Sequence, residues 1–475
     1  MKFHLKLLAA ASLLALAACS TTPYRAPRLN GHTLSSLPSA ADQGLNGLAA
    51  GRGAPPSTWW AQFGDPQLEA LVRLAWHDNQ DMQIASARLQ AAEHLAGVAD
   101  AARLPVAIQD ISAGRSRLAA GESRSGRPAL VNPVQATASL SWELDLFGRL
   151  RSGAQASHAS FEEWEALRDD MRRLVLARVV EAYLDLRGAQ GLSVTLKDQL
   201  SNQESTLNLV KAKEAAGSAS RADCVRVKAQ VSLLRARLPV ALAQERAARN
   251  RLATLTGQRL DAPALLALDV PFDYPLPPSL VTDEPVALLQ RRPDVRAAER
   301  ALKGAAAREG IANADLYPRI SLSALLGSMG VAGDWVSGNT ERWRVGGAVS
   351  WSLFDGGAAR GRWKAAGSEV MAAKANFDKA VAVALEEVDT AVSNWTQFRR
   401  RSEELALAQG LAQESVKLAR TRYQEGAESL LGVLDAERVA LAAQEQLVLA
   451  KRDLALATAR SYTALSGGFD VMQSH

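Results

Sequence analysis

The sequence predicts an α+β membrane protein in which four strands per chain contribute to a β-barrel that continues into a tunnel of long coiled-coil helices. Three observations lead to this fold class. The chain contains a tandem duplication, each half has strands with one apolar face, and each half has a proline-free helical stretch of about 65 residues, which at 1.5 Å per residue is roughly 100 Å long.

The duplication is visible as two constant separations between similar strings. Trp142 and Trp351 lie 209 residues apart, whereas Pro105 and Pro318 lie 213 apart, so the halves differ by a short length change inside the first hairpin. A repeat of this length indicates that one architecture occurs twice. The predicted segments are a first repeat at 59–260, a proline-rich linker at 261–280 and a second repeat at 281–470.

The strands are predicted where the apolar period changes from 3.6 to 2, in hairpins at about 104–148 and 317–355. Strict alternation over about ten residues indicates a strand with one apolar and one polar face. The weakest prediction is the strand near Val106 and Ile108, because Asp110 then falls on its apolar face. The clearest alternating apolar residues are Ala136, Ala138, Leu140, Trp142, Leu144, Ile320, Leu322, Ala324, Leu326, Val345, Gly347, Val349, Trp351 and Leu353.

The helices follow each hairpin. The stretches 150–216 and 358–425 contain no proline and mix apolar residues with charges, which is typical of coiled coils. Gly217 and Gly426 end these helices, and Ser220 and Ser429 begin the helices that run back.

Four strands are too few to close a barrel, and open sheet edges are not tolerated in lipid. An apolar face alternating with a polar one is the pattern of transmembrane barrels. We therefore expect several copies of the chain to complete one barrel.

The N-terminus predicts export and lipid attachment. Residues 1–18 have a basic start and an apolar run too short to span a bilayer, so they are predicted to be a lipoprotein signal peptide. Leu16-Ala17-Ala18-Cys19 resembles a lipobox, which makes Cys19 the lipidation site. Residues 19–58 then form a Pro-, Gly- and Ser-rich tether. Ser20, after the cysteine, favours the outer membrane under the sorting rule of Gram-negative lipoproteins.

The string Leu-Leu-Gln-Arg-Arg-Pro-Asp-Val-Arg-Ala-Ala-Glu at 288–299 resembles the signature of the outer membrane factor family, in its lipoprotein (NodT) branch. Trp59-Trp60 and Leu316-Tyr317-Pro318 match that branch as well. The resemblance implies a homotrimer with a twelve-stranded outer-membrane barrel that extends into the periplasm. It also implies a periplasmic adaptor and an inner-membrane RND pump as partners, with this chain as the passive exit duct for small toxic compounds.

The same resemblance implies a gate at the periplasmic tip, formed near the turns at Gly217 and Gly426. The positions that match the family's gate are Asp223, Tyr423, Asp435, Arg438 and Leu431. Structural roles are open alternatives: Asp223 fits a capping box with Ser220, and Asp435 with Arg438 fits an ordinary i,i+3 pair.

Two residues depart from the family pattern at this tip. Gly432 stands where some members have a second aspartate, and Glu428 replaces an arginine. The resemblance therefore does not determine which residues of the gate bond to one another.

Composition and motifs argue against other classes of function. The net charge of +5 is spread along helices that also carry acids, so nucleic acid is not an expected partner. The six histidines are scattered, and no catalytic or nucleotide-binding motif occurs, so we expect neither an enzyme nor a metal site. We expect no cofactor other than the covalent lipid on Cys19. A type I secretion duct and a non-conducting structural lipoprotein remain alternatives, and the cargo is left open.

Overall fold

The computed structural model describes residues 24, 27, 48–49, 58–123, 126–269, 280–281, 289, 291–331, 333 and 339–465. Cys19 and the predicted signal peptide lie outside these residues, as does most of the tether.

Seven helices of 13 residues or more lie in the described part of the chain. They are α1 Pro66–Asp78, α2 Gln80–Ala101, α3 Arg149–Ala215, α4 Arg221–Leu255, α5 Pro293–Ala314, α6 Ala358–Gln424 and α7 Leu430–Ala464. Within the described residues, none of the helices is both long enough and apolar enough to cross a membrane.

The two halves of the chain have helices of equal length. Both α3 and α6 contain 67 residues. Both α4 and α7 contain 35 residues. Both α2 and α5 contain 22 residues. At 1.5 Å per residue, α3 and α6 are each about 100 Å long.

The chain divides into two compact units, each assembled from separate stretches of sequence. Of the described residues, the first contains those within 88–165 and 297–378, and the second contains those within 58–87, 166–296 and 379–465.

The first unit contains a four-stranded antiparallel sheet in the order β1-β2-β3-β4. The strands are β1 Val106–Ala113, β2 Pro133–Leu144, β3 Arg319–Val331 and β4 Glu341–Ser350. A short extension pairs Ser116–Leu118 with Ala129–Val131 beyond the end of β1.

The register of the sheet collects the alternating apolar residues on one face. Leu140 lies opposite Ala324 and Trp142 opposite Leu322. Ala324 in turn lies opposite Val345 on β4. Because directly opposite residues point to the same face, the apolar side chains of β2, β3 and β4 form one surface. Many of them are exposed in the single chain, including Leu140 and Val345.

The predicted phase of β1 is wrong by one residue. Val106 and Ile108 lie opposite Ser141 and Ser139, and Asp110 lies opposite Thr137, so all three are on the polar face. The residues of β1 on the apolar face are instead Ala107, Gln109, Ile111 and Ala113. The error arose because β1 carries apolar residues on both faces, so alternation alone did not determine its phase.

Each hairpin is fixed to the preceding helix by an equivalent hydrogen bond. Trp142 Nε1 donates to the carbonyl of Arg103 over 3.0 Å. Trp351 Nε1 donates to the carbonyl of Leu316 over 3.2 Å. The donors are 209 residues apart and the acceptors 213 apart, so both separations read from the sequence describe the same contact in the two halves.

The second unit has an aromatic core beside the start of α1. Trp59 is 1% exposed and stacks on Tyr462 with 5.6 Å between ring centroids. Asp65 caps α1 by accepting from the backbone N–H of Gln67 over 2.9 Å, and it also accepts from the Tyr183 hydroxyl. Burial, followed by this hydrogen bond, raises the pKa of Tyr183.

Candidate functional site

Two helix turns in the second unit hold the residues that the sequence assigns to a gate. Gly217 and Gly426 follow α3 and α6 with φ of 72° and 78°, a left-handed conformation that glycine adopts without strain. The backbone N–H of Ser218 donates to the carbonyl of Lys213, and that of Ala427 donates to Arg422, each over 2.8 Å. Both turns therefore close with the same helix-ending motif.

The first turn uses Asp223 as a helix cap. Ser220 Oγ accepts from the backbone N–H of Asp223 over 3.2 Å, and the Asp223 carboxylate accepts from the backbone N–H of Ser220 over 3.3 Å. This reciprocal capping box fixes the start of α4. Arg226 lies 3.5 Å from the same carboxylate, so Asp223 is fully engaged within its own helix start.

The second turn is capped differently because Gly432 occupies the equivalent position. Ser429 Oγ still accepts from the backbone N–H of Gly432, over 3.3 Å. Glu428 replaces the missing carboxylate, since its Oε1 accepts from the backbone N–H of Ser429 over 3.1 Å. A Cβ atom at residue 432 would lie 2.5 Å from that Oε1. The absence of a side chain at residue 432 therefore leaves room for the Glu428 carboxylate in the cap.

The two turns share a small apolar core. Its buried members are Leu207, Val210, Val227, Val231, Leu430 and Leu434. Cys224 and Tyr423 pack against it, both partly buried. A hydrogen bond to Glu214, followed by desolvation, raises the pKa of the Cys224 thiol, which disfavours the reactive thiolate.

Asp435 and Arg438 form an exposed pair on α7. Arg438 Nη2 donates to Asp435 Oδ1 over 2.6 Å. The side chain of Arg438 is 72% exposed and that of Asp435 is 61% exposed. Leu431, one turn earlier, is 56% exposed. A pair this exposed contributes a few tenths of a kcal/mol to a single chain. All three side chains are accessible to a neighbouring molecule.

Tyr423 connects the two helical hairpins. Its hydroxyl accepts from Lys213 Nζ over 3.1 Å, and the same Nζ lies 4.3 Å from the ring centroid. This contact joins the end of α6 to the end of α3. Lys213 was not identified from the sequence, because a lysine in the last turn of a helix is common for electrostatic reasons alone.

An ion pair between a half-exposed arginine and a buried glutamate was also missed. Arg420 donates through Nε and Nη2 to Glu437 Oε1 over 3.0 and 2.7 Å, which links α6 to α7. Glu437 is only 6% exposed, and its Oε2 has no hydrogen-bond partner in the structure. The sequence did carry a signal, because Glu437 follows Leu434 and Leu430 on the buried stripe of α7.

The five candidate gate residues do not form one network within a single chain. Asp223 bonds within the first turn, Tyr423 bonds to Lys213, and Asp435 bonds to Arg438. In the part of the chain that the structure describes, no group of three or more His, Cys, Asp or Glu side chains could hold a metal ion.

Comparison with known proteins identifies the family. The model of the family described as "Outer membrane efflux protein" matches residues 71–258 and 285–467, which is more than half of the chain. A toluene efflux pump outer membrane protein, TtgF of Pseudomonas putida, is 31% identical over 440 residues, covering 90% of each chain. Nodulation protein T of Rhizobium leguminosarum bv. trifolii is 28% identical over 96% of each chain.

Solved structures agree with this assignment. The outer-membrane channel OprN is 33% identical, with a TM-score of 0.86 over 95% of this chain and 100% of that one. The outer membrane protein VceC of Vibrio cholerae is 26% identical, with a TM-score of 0.81 over 88% of this chain and 100% of that one. The chain belongs to the outer membrane efflux protein family.

Proposed function

We propose that this chain is the outer-membrane channel subunit of a tripartite RND-type efflux pump, a passive exit duct for small toxic compounds. The observation that carries the proposal is the four-stranded sheet, whose apolar face is solvent-exposed in the single chain. An exposed apolar face opposite a serine-rich face suits a wall between lipid and water. Efflux pump outer membrane proteins among the relatives support the same role.

Three copies of the chain form one barrel of twelve strands in this proposal. The sheet ends at β1 and β4, and neither of these outer strands has a second partner among the described strands of one chain. An open edge in lipid leaves backbone groups unpaired, so closure by further copies removes that penalty. The equal helix lengths of the two halves support the tandem duplication, which gives such a trimer six similar repeats around its axis.

The proposed partners follow from the passive role. No nucleotide-binding motif occurs in the sequence, so energy for export comes from an inner-membrane pump, and a periplasmic adaptor connects the two. Cys19 carries the lipid that anchors the chain in the outer membrane. Neither nucleic acid, a resident cofactor nor catalysis is part of this function.

The tip gate is the regulated part of the proposed duct. The exposure of Asp435, Arg438 and Leu431 supports it, because these side chains are free to contact other copies at the tip. Tyr423 ties the hairpins together through Lys213, and Asp223 supports the first turn as a cap.

Two measurements on detergent-purified protein test this function. Native mass measurement is expected to give a trimer, and reconstitution in planar bilayers is expected to give discrete conductance steps. A non-conducting trimer would favour the structural lipoprotein, and a folded monomer would contradict the shared barrel. Cells lacking the protein are expected to become sensitive to small toxic compounds; loss of polypeptide secretion alone would instead favour a type I secretion duct.

A further inference from the structure

We infer that neighbouring copies join by pairing β4 of one with β1 of the next in a defined register, with Val349 opposite Ile111 and Phe354 opposite Val106. This inference rests on the proposed multi-chain barrel and adds the residue-level seam. It derives from the way the two hairpins of one chain already pair.

The template is the junction between β2 and β3. There the second strand of the first hairpin pairs antiparallel with the first strand of the second hairpin. Leu140 lies opposite Ala324, and Leu144 lies opposite Ile320. The seam between copies has the same composition, since it would join the second strand of one hairpin, β4, to the first strand of another, β1.

Structural equivalences allow the register to be transferred. The two tryptophan hydrogen bonds fix a separation of 209 for β2 and β4, and of 213 for the helix ends before β1 and β3. β1 and β3 begin at Val106 and Arg319, which are also 213 apart, so the second separation extends into the strands. Applied to the template, these separations place Val349 opposite Ile111.

The transferred register extends β4 at its end. The template pair Leu144–Ile320 corresponds to Leu353 opposite Ala107 of the next copy. Residues 351–353 therefore gain β1 of that copy as a partner strand. In the first half, the equivalent residues 142–144 pair with β3 but lie beyond the end of β1. In the second half, β4 ends at Ser350, where the register with β3 also ends. The last three positions thus become strand only when another copy supplies β1.

The side chains at this seam give independent support. One position beyond the Leu144–Ile320 pair, the template has two charged residues that are bonded elsewhere. Asp145 accepts from the backbone N–H groups of Leu150 and Arg151, and Arg319 pairs with Asp315. The transferred pair is Phe354 with Val106, two apolar residues. Phe354 is 91% exposed and Val106 51% exposed in the single chain. In the transferred register these two exposed apolar side chains cover each other, whereas the charged residues at the template position are bonded within the chain.

The same contact gives Val106 of β1 an apolar partner. Val106 lies on the polar face of the sheet, opposite Ser141. An apolar residue there faces water in the single chain. In the proposed register Phe354 of the next copy covers it, which removes apolar surface from water.

Disulfide trapping tests the register directly. In a Cys224→Ser background that retains Cys19, the matched pair is Val349→Cys with Ile111→Cys, and the shifted control is Val349→Cys with Ala113→Cys. Directly opposite Cβ atoms lie about 5 Å apart, whereas diagonal ones lie about 7–8 Å apart, beyond easy disulfide geometry. We expect about ten-fold more covalent dimer and trimer from the matched pair.

A second matched pair, Ser350→Cys with Asp110→Cys, covers the adjacent position. Because hydrogen-bonded and non-hydrogen-bonded pairs alternate, one of the two matched pairs has the closer spacing. Cross-linking of the shifted control in preference to both matched pairs would overturn the register, and so would a trimer in which no pair links. A folded monomer by native mass would instead contradict the proposed barrel itself.

Charge complementation tests the apolar contact. Phe354→Asp and Val106→Arg are each expected to lower the temperature at which the trimer dissociates. The double variant places opposite charges across the seam and is expected to recover at least half of the summed loss. Additive losses in the double variant would show that the two residues do not meet.

Discussion

The two turns at the helical tip have the same backbone and different side-chain roles. In the first turn, Asp223 is used within the chain, in a capping box with Ser220. In the second turn, Gly432 replaces that carboxylate and Glu428 takes over the cap, while the acid and base next along the helix, Asp435 and Arg438, remain exposed. The difference teaches that the two turns have the same geometry, whereas the acidic side chain is held in the cap at the first turn and Asp435 is left exposed at the second.

The starts of α1 and α5 show a similar contrast. Asp65 caps α1, and its carboxylate lies 3.6 Å from the buried guanidinium of Arg187, which belongs to α3. At α5 the arginine precedes the helix itself: Arg292 is fully buried and pairs with Asp294 at 2.6 Å and Glu387 at 2.5 Å. Each half thus has a buried arginine paired with a carboxylate at the start of a helix, but the carboxylates are buried only in the first half.

The largest expected effect comes from breaking the second of these pairs. Arg292 donates to the carboxylate of Asp294 over 2.6 Å and to the carbonyl of Ala464 over 3.2 Å. Arg292→Ala removes both hydrogen bonds. Arg292 is a fully buried large side chain, so its truncation also leaves a cavity; with the lost hydrogen bonds this is expected to lower the free energy of unfolding by about 3–5 kcal/mol. Arg296→Ala is the control on the same helix, since Arg296 is partly exposed and lies 3.7 Å from Asp169; its loss should stay below about 1 kcal/mol. Urea denaturation of the purified protein measures both.

The same pair predicts a pH dependence. Burial alone would raise the pKa of Asp294, but the hydrogen bonds and charge of Arg292 outweigh it and the pKa is lowered. A lowered carboxyl pKa stabilises the fold above its value in the unfolded chain, about 3.9, and this contribution is lost as the pH falls through the folded value. Stability should therefore fall on acidification below about pH 4, and the slope should be smaller in Arg292→Ala. Equal slopes in the two proteins would contradict this assignment.

The next effect compares the two faces of the sheet. Leu140→Arg places a charge on the apolar face, and Ser139→Arg places it on the polar face one residue away. The first change is expected to destabilise the assembled protein by about 2–4 kcal/mol if Leu140 lies near the middle of the bilayer, and the second by much less. Two measurements on both variants give the difference: the temperature at which the trimer dissociates in detergent, and the yield of trimer that assembles in lipid vesicles. Equal effects would mean that neither face contacts lipid.

A smaller effect is expected from the first tip turn. Asp223→Ala removes the carboxylate of the capping box and is expected to lower the free energy of unfolding by about 1 kcal/mol. Glu428→Ala is the matched change in the second turn, where one backbone hydrogen bond is lost. Hydrogen exchange of the first-turn amides of α4 and α7 would localise each effect. Unchanged exchange at Ser220 would refute the capping role of Asp223.

The similarity between the two halves of the chain made much of the fold predictable. The separations of Trp142 from Trp351 and of Pro105 from Pro318 correspond to equivalent structural positions, because the same hydrogen bond to the backbone recurs at both. The proline-free stretches correspond to α3 and α6, and the left-handed glycines end them. These features depend on local sequence, so a single chain was sufficient to predict them.

The errors and omissions concern contacts between distant residues. The phase of β1 depends on its pairing with β2, which its own apolar pattern does not determine. The Arg420–Glu437 pair joins residues on either side of the turn between α6 and α7. The Lys213–Tyr423 pair joins residues 210 positions apart. The place of Glu437 on an apolar stripe marked it as unusual, but nothing local identified the partner of either residue. The prediction for Cys19 lies outside the described residues and remains a prediction.

Resting conductance in planar bilayers tests the central claim, that the two turns differ in role. Asp435→Ala combined with Arg438→Ala removes the exposed pair of the second turn, and Asp223→Ala removes the cap of the first. The account predicts that the double variant, still a trimer, conducts more at rest than the wild-type protein and admits bulky antibiotics in cells, while Asp223→Ala conducts like the wild type. An intact trimer of the double variant with wild-type conductance would contradict the account and leave Leu431 as the remaining candidate for the constriction.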